Sequence, residues 1–219
     1  MEPVPDVAPR YPSTVAAPVT HELLVKKSRF LARIEPVRTV AEADAVVAAV
    51  RKQHWDARHH CVALVVGTHA DQQRSTDDGE PSGTAGVPML EVLRRRELTD
   101  VVAVVTRYFG GVLLGAGGLV RAYSTAVSEA LDLARVLHRS PATRVTVDVP
   151  HAEAGRLQGM LRDWCTAHDA ALDDVAYGAA ARFTLLVPPG RLDGFDAALA
   201  AATAGRLRAE RGDVVVLER

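Results

Sequence analysis

Two glycine-containing segments hold most of the side chains that could bind a ligand or catalyse a reaction. The first, residues 76–90, reads TDDGEPSGTAGVPML. Paired carboxylates act as general acid and base or bind hard cations, so Asp78 and Glu80, with His59, are the candidate catalytic residues of an enzyme. The alternative is a tight turn in which Gly79 takes a positive φ and Asp78 bonds to its own backbone.

The same segment permits a third interpretation, an anion nest in front of a helix. The hydroxyls of Ser82 and Thr84, with backbone amides opened by glycine, could hold an anion before a helix that has Pro88 in its first turn. The calcium-loop pattern is absent because Asp78 is followed directly by glycine, and we expect neither a metal nor a cofactor. The loop residues predicted to act together are Asp78, Gly79, Glu80, Pro81, Ser82, Gly83 and Thr84.

The second segment, residues 107–124, reads RYFGGVLLGAGGLVRAYS. A strand, a glycine-rich loop and a helix in this order point backbone N–H groups at a phosphate, which nearby arginines can grip. Neither the Walker A motif nor the dinucleotide fingerprint is present. The residues predicted to bind phosphate or nucleic acid are Lys26, Lys27, Arg29, Arg107, Arg121, Gly110, Gly111, Gly117 and Gly118. The alternative is close packing at the glycines, with Arg107 paired to Asp78 or Glu80.

Two shorter motifs each allow a functional and a purely structural interpretation. The stretch VKKSRF, residues 25–30, suits phosphate contact with base stacking, and equally suits a strand edge kept soluble by charge. In ARHHCVAL, residues 57–64, a thiol–imidazole pair would need contact across the fold, because adjacent strand residues point to opposite faces. A buried Cys61 flanked by histidines with satisfied hydrogen bonds is the favoured interpretation.

The composition sets limits on the class of protein. The chain has 219 residues, a formal net charge of -1 and 48% hydrophobic residues, enough for a sizeable core but with no global attraction to nucleic acid or membrane. Two cysteines far apart indicate reduced thiols. The absence of an apolar leader and of a long apolar run predicts a cytoplasmic protein without a membrane span.

Hydrophobic periodicity predicts the elements that would position these residues. A strand is expected over residues 28–37, followed by a helix whose capping box is Thr39 and Glu42. Buried strands are expected at 61–67 and 100–111, and helices at 88–98 and 118–136.

A turn signal at Ser140-Pro141 predicts a linker over residues 138–144. The pattern beyond it is βαββαβ, the ferredoxin-like order. We therefore expect an α+β protein with a flexible lead over 1–19 and domains over 20–138 and 143–219.

The stretches KKSRFLA, DDGEPSGTAGVPML and VVTRYFGGVLLGAGGLVRAYS resemble the IMPACT family in its bacterial, YigZ-like branch. The resemblance covers about residues 20–130. It implies that the first domain resembles the second domain of a small-subunit ribosomal protein, with the left-handed βαβ type shared by GHMP kinases. It implies that the second domain is similar to the last domain of elongation factor G. No established family activity assigns catalytic residues.

These observations allow three hypotheses about function. We interpret the protein as a non-enzymatic regulatory protein linked to translation, which binds RNA, the ribosome or a protein of the translation apparatus through its glycine loops and arginines. The alternatives are an enzyme for a small phosphorylated or nucleotide ligand at Asp78, Glu80, Arg107 and Arg121, or a scaffold in which the acids lock the arginines. The oligomeric state is open.

Overall fold

The computed structural model describes residues 11–219. Contacts divide the chain into two compact units, one of Pro12–His138 and one of Arg139–Arg219 together with Tyr11. Both units contain helices and strands, so the predicted α+β class with two domains is confirmed. Within this part of the chain, the helices are too short or too polar to cross a membrane.

The first unit is an antiparallel sheet with helices on both faces. Its elements are β1 (Tyr11–Val15), β2 (Val19–Val25), β3 (Ser28–Pro36), α1 (Val40–Gln53), β4 (His59–Val66), β5 (Gln72–Thr76), α2 (Gly86–Arg95), β6 (Val101–Tyr108) and α3 (Gly115–Asp132). The sheet has the order β2-β3-β6-β4-β5. The ribosomal-protein and kinase-like fold type stays a prediction.

The central strands β4 and β6 are buried on both faces. Val62 and Val104 pack with residues of α1 on one face. Cys61 and Val105 pack on the other face with residues of α2 and α3, including Tyr123. This two-sided burial is the reason that both strands read as continuous apolar runs in the sequence.

The predicted helix boundaries differ from the observed ones by a few residues. At α1 the side chain of Thr39 accepts the N–H of Glu42 at 3.1 Å, which confirms the predicted N-cap. The carboxylate of Glu42 accepts the N–H of Arg38 at 2.7 Å, one residue before the cap. The helices α2 and α3 begin before the predicted Pro88 and Gly118.

The predicted flexible lead is wrong over residues 11–19, while residues 1–10 lie outside the described part. Tyr11–Val15 forms β1, and Val15 is buried. The N–H of Ser13 donates to the carbonyl of Glu97 at 2.8 Å, and the N–H of Thr99 donates to the carbonyl of Ser13 at 2.9 Å. These partners lie far along the chain, so the proline-rich local composition could not reveal them.

The second unit has the predicted element order βαββαβ. Its elements are β7 (Val136–Val149), α4 (His151–Ala167), β8 (Ala171–Tyr177), β9 (Ala181–Val187), α5 (Leu192–Thr203) and β10 (Glu210–Glu218). In its antiparallel sheet β7 pairs with β9 and β10, and β9 pairs with β8.

The predicted linker over residues 138–144 is wrong because these residues lie inside β7. β10 pairs with β7 from Arg139 to Thr146, and β9 pairs with it from Thr143 onward. Pro141 itself sits opposite Val216 in this ladder. Pairing with two distant strands therefore overrides the local turn signal.

Candidate functional site

Three strands bring predicted site residues into one row at an end of the first sheet. In the strand register Phe30 of β3 pairs with Arg107 of β6, and Arg107 pairs with His59 of β4. The loop before α3 begins at this end, because β6 stops at Tyr108. The loop before α2 borders the same end. The two glycine-containing segments therefore meet here.

A buried ion pair joins the two segments. Nη1 of Arg107 lies 2.7 Å from Oε1 of Glu80, and the two side chains are 7% and 3% exposed. The hydroxyl of Tyr123 on α3 donates to the same oxygen at 2.8 Å. The guanidinium lies 5.4 Å from the ring centre of Phe30 and 5.6 Å from that of Phe109. Glu80 is thus enclosed and holds Arg107, as the scaffold interpretation predicts.

The N-terminus of α2 is occupied by the chain's own carboxylate. Asp77 accepts the N–H of Gly83 at 2.8 Å, that of Ala85 at 3.0 Å and that of Gly86 at 2.8 Å. Burial alone would raise the pKa of Asp77, but the three amide hydrogen bonds outweigh it and hold the pKa below its usual value. The backbone amides of the predicted anion nest therefore already donate to a carboxylate of the chain itself. The Thr84 hydroxyl donates to the Pro81 carbonyl at 2.6 Å.

Asp78 binds α1 and β4, and of the two acids predicted as alternative partners of Arg107 it is Glu80 that pairs with it. Its carboxylate accepts the N–H of His60 at 2.6 Å and a guanidinium N–H of Arg51 at 2.5 Å. Its carbonyl oxygen lies 2.9 Å from Nδ1 of His59. Gly79 has φ 86°, as the tight-turn interpretation predicts, and Asp78 has φ 45°. The predicted bond of Asp78 to its own backbone is wrong, because its carboxylate binds His60 and Arg51 instead.

The thiol of Cys61 is a structural group. It is fully buried and donates to the carbonyl of Asp77 at 3.0 Å. Burial raises the pKa of Cys61 to about 12, so the reactive thiolate is not populated near neutral pH.

An open cavity of about 580 Å³ lies beside α3 and the β2–β3 hairpin. It brings together Lys26, Gly117, Gly118 and Arg121, four of the residues predicted to bind phosphate. Leu23, Val25, Leu114, Ala122 and Thr125 complete its lining. Lys26 and Arg121 are exposed and form no ion pair with the described residues. A Cβ at Gly117 would meet no atom within 4 Å, so the backbone there is open to a ligand.

The turn of the β2–β3 hairpin is strained. Lys26 has φ 44° and Lys27 has φ 68°. Two-residue hairpin turns with positive φ at both positions strongly prefer Asn-Gly, and each other residue there costs about 1 kcal/mol or more. Arg29, which follows the turn, is paired with Glu22 at 2.7 Å.

Gly110 contacts the hairpin turn closely. A Cβ added at Gly110 would lie 2.0 Å from the carbonyl carbon of Lys27. Its N–H donates to the Ser28 hydroxyl at 3.1 Å. Gly111, by contrast, has φ 83° and open space around it. The glycine at 110 is thus explained by close packing.

Replacing Gly110 with alanine should lower the free energy of unfolding by about 2 kcal/mol or more, because the backbone of the turn must move to admit the methyl group. Urea denaturation measures the change. The matched control is Gly117→Ala, where space is open and alanine favours the helix by about 0.5–1 kcal/mol. Equal effects of the two substitutions would contradict the close approach.

The predicted residues therefore divide into two groups. Glu80 and Arg107 are buried together, and Asp78 and His59 are bonded to each other beside them. Arg121 lies in the open cavity with Lys26, so the predicted cluster of Asp78, Glu80, Arg107 and Arg121 is divided. No three His, Cys, Asp or Glu side chains within residues 11–219 are grouped to hold a metal ion.

Three contributors to this region were not among the predicted site residues. Tyr123 lies on the buried face of α3, Arg51 lies on a helix without a predicted functional motif, and Asp77 precedes the predicted acids Asp78 and Glu80. Their roles depend on hydrogen bonds to residues at least six positions away. Asp77 lies nine positions before the first residue of α2, too far for the N-cap pattern of the sequence to indicate its role.

Comparison with known proteins gives matches over both units. Residues 26–131 match the family model described as Impact N-terminal domain. Residues 147–206 match a domain of unknown function, DUF1949.

Relatives match most of the chain. It is 39% identical over 206 residues to IMPACT family member YvyE of Bacillus subtilis, covering 94% of this chain and 93% of that protein. It is 39% identical over 195 residues to IMPACT family member YigZ of Escherichia coli, covering 88% and 94%. A solved crystal structure of a hypothetical protein is 36% identical with a TM-score of 0.61, and the match covers 94% of this chain and 98% of that one.

Proposed function

The chain belongs to the IMPACT family, which is associated with translation regulation, and we propose that it is a non-enzymatic protein that binds RNA, free or in the ribosome. The observation that carries this proposal is the open cavity beside α3. Two cations without an ion-pair partner among the described residues, and the open backbone at Gly117, line the same recess. Phosphate groups suit such a lining, because backbone amides and cations can act on one anion.

The distribution of charge supports a local contact. The net charge of the whole chain is -1, so attraction to a polyanion must come from a patch. Many arginines of the first unit are already neutralised, as Arg29 is by Glu22 and Arg51 by Asp78. Lys26 and Arg121 line the cavity, Lys27 follows Lys26 in the turn, and none of the three forms an ion pair with the described residues.

The strained turn supports the same proposal. Lysines at positive φ destabilise the hairpin, and strained backbone concentrates at functional sites. The turn places Lys26 in the lining of the cavity, and Lys26 has no acidic partner among the described residues. A sequence optimised only for the turn would have asparagine and glycine there.

Loss of both cavity cations should weaken RNA binding and its salt dependence together. The change is Lys26→Gln with Arg121→Gln, and the measurement is filter binding of a single-stranded RNA from 50 to 300 mM salt. Each lost phosphate contact should lower the slope of log affinity against log salt by about 0.7, or about 1.4 for the pair. Affinity at 0.1 M salt should fall about fivefold per contact.

The matched control is Lys52→Gln with Arg162→Gln, which removes the same two charges from exposed positions outside the cavity. It should leave affinity and slope nearly unchanged. Equal losses in the two double variants would contradict a specific role for the cavity. No retention of the wild-type protein on RNA or ribosomes at 50 mM salt would remove the proposal.

An enzyme for a small phosphorylated or nucleotide ligand stays an alternative. A cavity of about 580 Å³ is large enough for such a ligand. However, Asp78, Glu80 and His59 do not line it and are engaged with other groups. A thermal shift with a nucleotide and Mg²⁺, lost in Arg121→Gln, would favour the enzyme over the RNA-binding protein.

A further inference from the structure

A half-exposed aromatic ring stands where β6 ends. Phe109 is 50% exposed, although it directly follows a strand that is buried almost throughout. The guanidinium of Arg107 lies 5.6 Å from the centre of its ring. A ring with a cation near it and half its surface in water can stack on a further planar group.

Phe109 is joined through its neighbour in the chain to the hairpin turn that carries Lys26 and Lys27. The following residue, Gly110, contacts the backbone of Lys27 so closely that a Cβ would lie 2.0 Å from its carbonyl carbon. Leu114, at the other end of the same loop, lines the cavity with Lys26 and Arg121. The loop from Phe109 to Leu114 therefore joins an aromatic surface to the cationic recess.

Arg107, which lies beside the ring of Phe109, is held in place at an energetic cost. Arg107 is buried with Glu80, and its Nε has no hydrogen-bond partner among residues 11–219. A buried ion pair with an unsatisfied donor stabilises a fold less than apolar packing does. What this pair achieves is a guanidinium held between the rings of Phe30 and Phe109.

We propose that this surface binds single-stranded RNA, with an unpaired base stacked on Phe109 and the flanking phosphates held by Lys26, Lys27 and Arg121. This inference rests on the proposed function and names the form of RNA that the site takes. Cations interleaved with an aromatic ring are the means by which proteins hold single strands. In a duplex the bases are stacked on one another, so the ring has no free base face to contact.

The shape of the site favours a strand over a lipid surface. Val112 and Leu113 of the same loop are exposed, and such residues with cations nearby also suit an anionic membrane. A bilayer is flat at this scale, however, and cannot enter a recess of about 580 Å³ whose wall carries Lys26 and Arg121. A flexible nucleotide chain can enter it.

The test compares single-stranded and duplex RNA by fluorescence anisotropy. The probes are a labelled twelve-nucleotide oligouridine and a twelve-base-pair duplex, at 100 mM salt. Phe109→Leu should weaken binding of the single strand about 5- to 160-fold, because loss of one stacked base costs about 1–3 kcal/mol. Duplex affinity should stay unchanged, and Phe109→Tyr should restore single-strand affinity. Trp55→Leu, at a ring that is 82% exposed elsewhere, is the matched control and should change neither.

The outcomes separate this inference from the function on which it rests. If the cation double variant loses RNA binding but Phe109→Leu affects both probes equally or neither, the stacking site is overturned and the proposed function stands. If the wild type binds neither probe, the stacking site is overturned, and the proposed function is overturned with it if the protein is also not retained on ribosomes. Binding to vesicles containing phosphatidylglycerol that is lost in Phe109→Leu, without preference for single-stranded RNA, would identify a membrane site instead. A urea midpoint for Phe109→Tyr equal to that of the wild type ensures that the rescue reports on binding.

Discussion

Replacement of Arg107 with alanine is expected to lower the free energy of unfolding of the first domain by about 3–5 kcal/mol. The substitution leaves the carboxylate of Glu80 buried, with the hydroxyl of Tyr123 as its only remaining hydrogen-bond donor among residues 11–219. Removing one partner of a buried ion pair costs this much because the other charge stays without compensation. Hydrogen exchange of the β6 amides, read by mass spectrometry, reports the stability of this domain separately from the second.

A charge-free pair provides the control for this prediction. Arg107→Met combined with Glu80→Met removes both charges with similar side-chain volume, and should recover most of the lost stability. Arg121→Ala, at an exposed position without an ion pair among the described residues, should change stability by less than about 0.5 kcal/mol. If Arg107→Ala keeps wild-type exchange rates but loses RNA binding, Arg107 contacts the ligand and the structural role is wrong.

Replacement of Asp77 with alanine is expected to cost about 2–3 kcal/mol and to weaken the acid dependence of stability. Its carboxylate accepts the N–H groups of Gly83, Ala85 and Gly86, and hydrogen bonds to a charged group contribute more than neutral ones. Without it, α2 begins with unsatisfied amides, because its N-cap residue Ala85 provides no side-chain bond. Urea midpoints from pH 7 to pH 3 measure both effects.

The sign of the pH effect follows from the direction of the pKa shift. Burial acts to raise the pKa of Asp77, but the amide hydrogen bonds lower it by a larger amount. The pKa of Asp77 in the folded state therefore lies below its value in the unfolded state. The contribution of the Asp77 carboxylate to the free energy of unfolding is complete above the unfolded-state pKa of about 3.9. It is lost as pH falls through the folded-state pKa. The difference between wild type and Asp77→Ala should therefore shrink in acid. Asp77→Asn, which keeps an acceptor without the charge, should lie between them, and a constant difference from pH 7 to pH 3 would refute the role of the charge.

The sequence by itself determined the elements whose evidence is local. β4 and β6 are continuous apolar runs because both of their faces are buried, and Thr39 marks the start of α1 because its side chain caps an amide three residues away. The motif residues were also sufficient to identify the family, because side-chain types at fixed spacing can be read directly from the sequence. The α+β class with two domains follows from the same patterns.

Only the tertiary structure decided which polar groups meet. The sequence could not say that Glu80 would hold Arg107 while Asp78 turned to Arg51, because both acids are two residues apart on one loop. That choice depends on the strand register that sets Arg107 between Phe30 and His59. The strand through Ser140-Pro141 depends equally on pairing with β10. Contacts between distant segments are fixed by how whole elements pack, so a linear pattern that records residue types and spacing does not contain them.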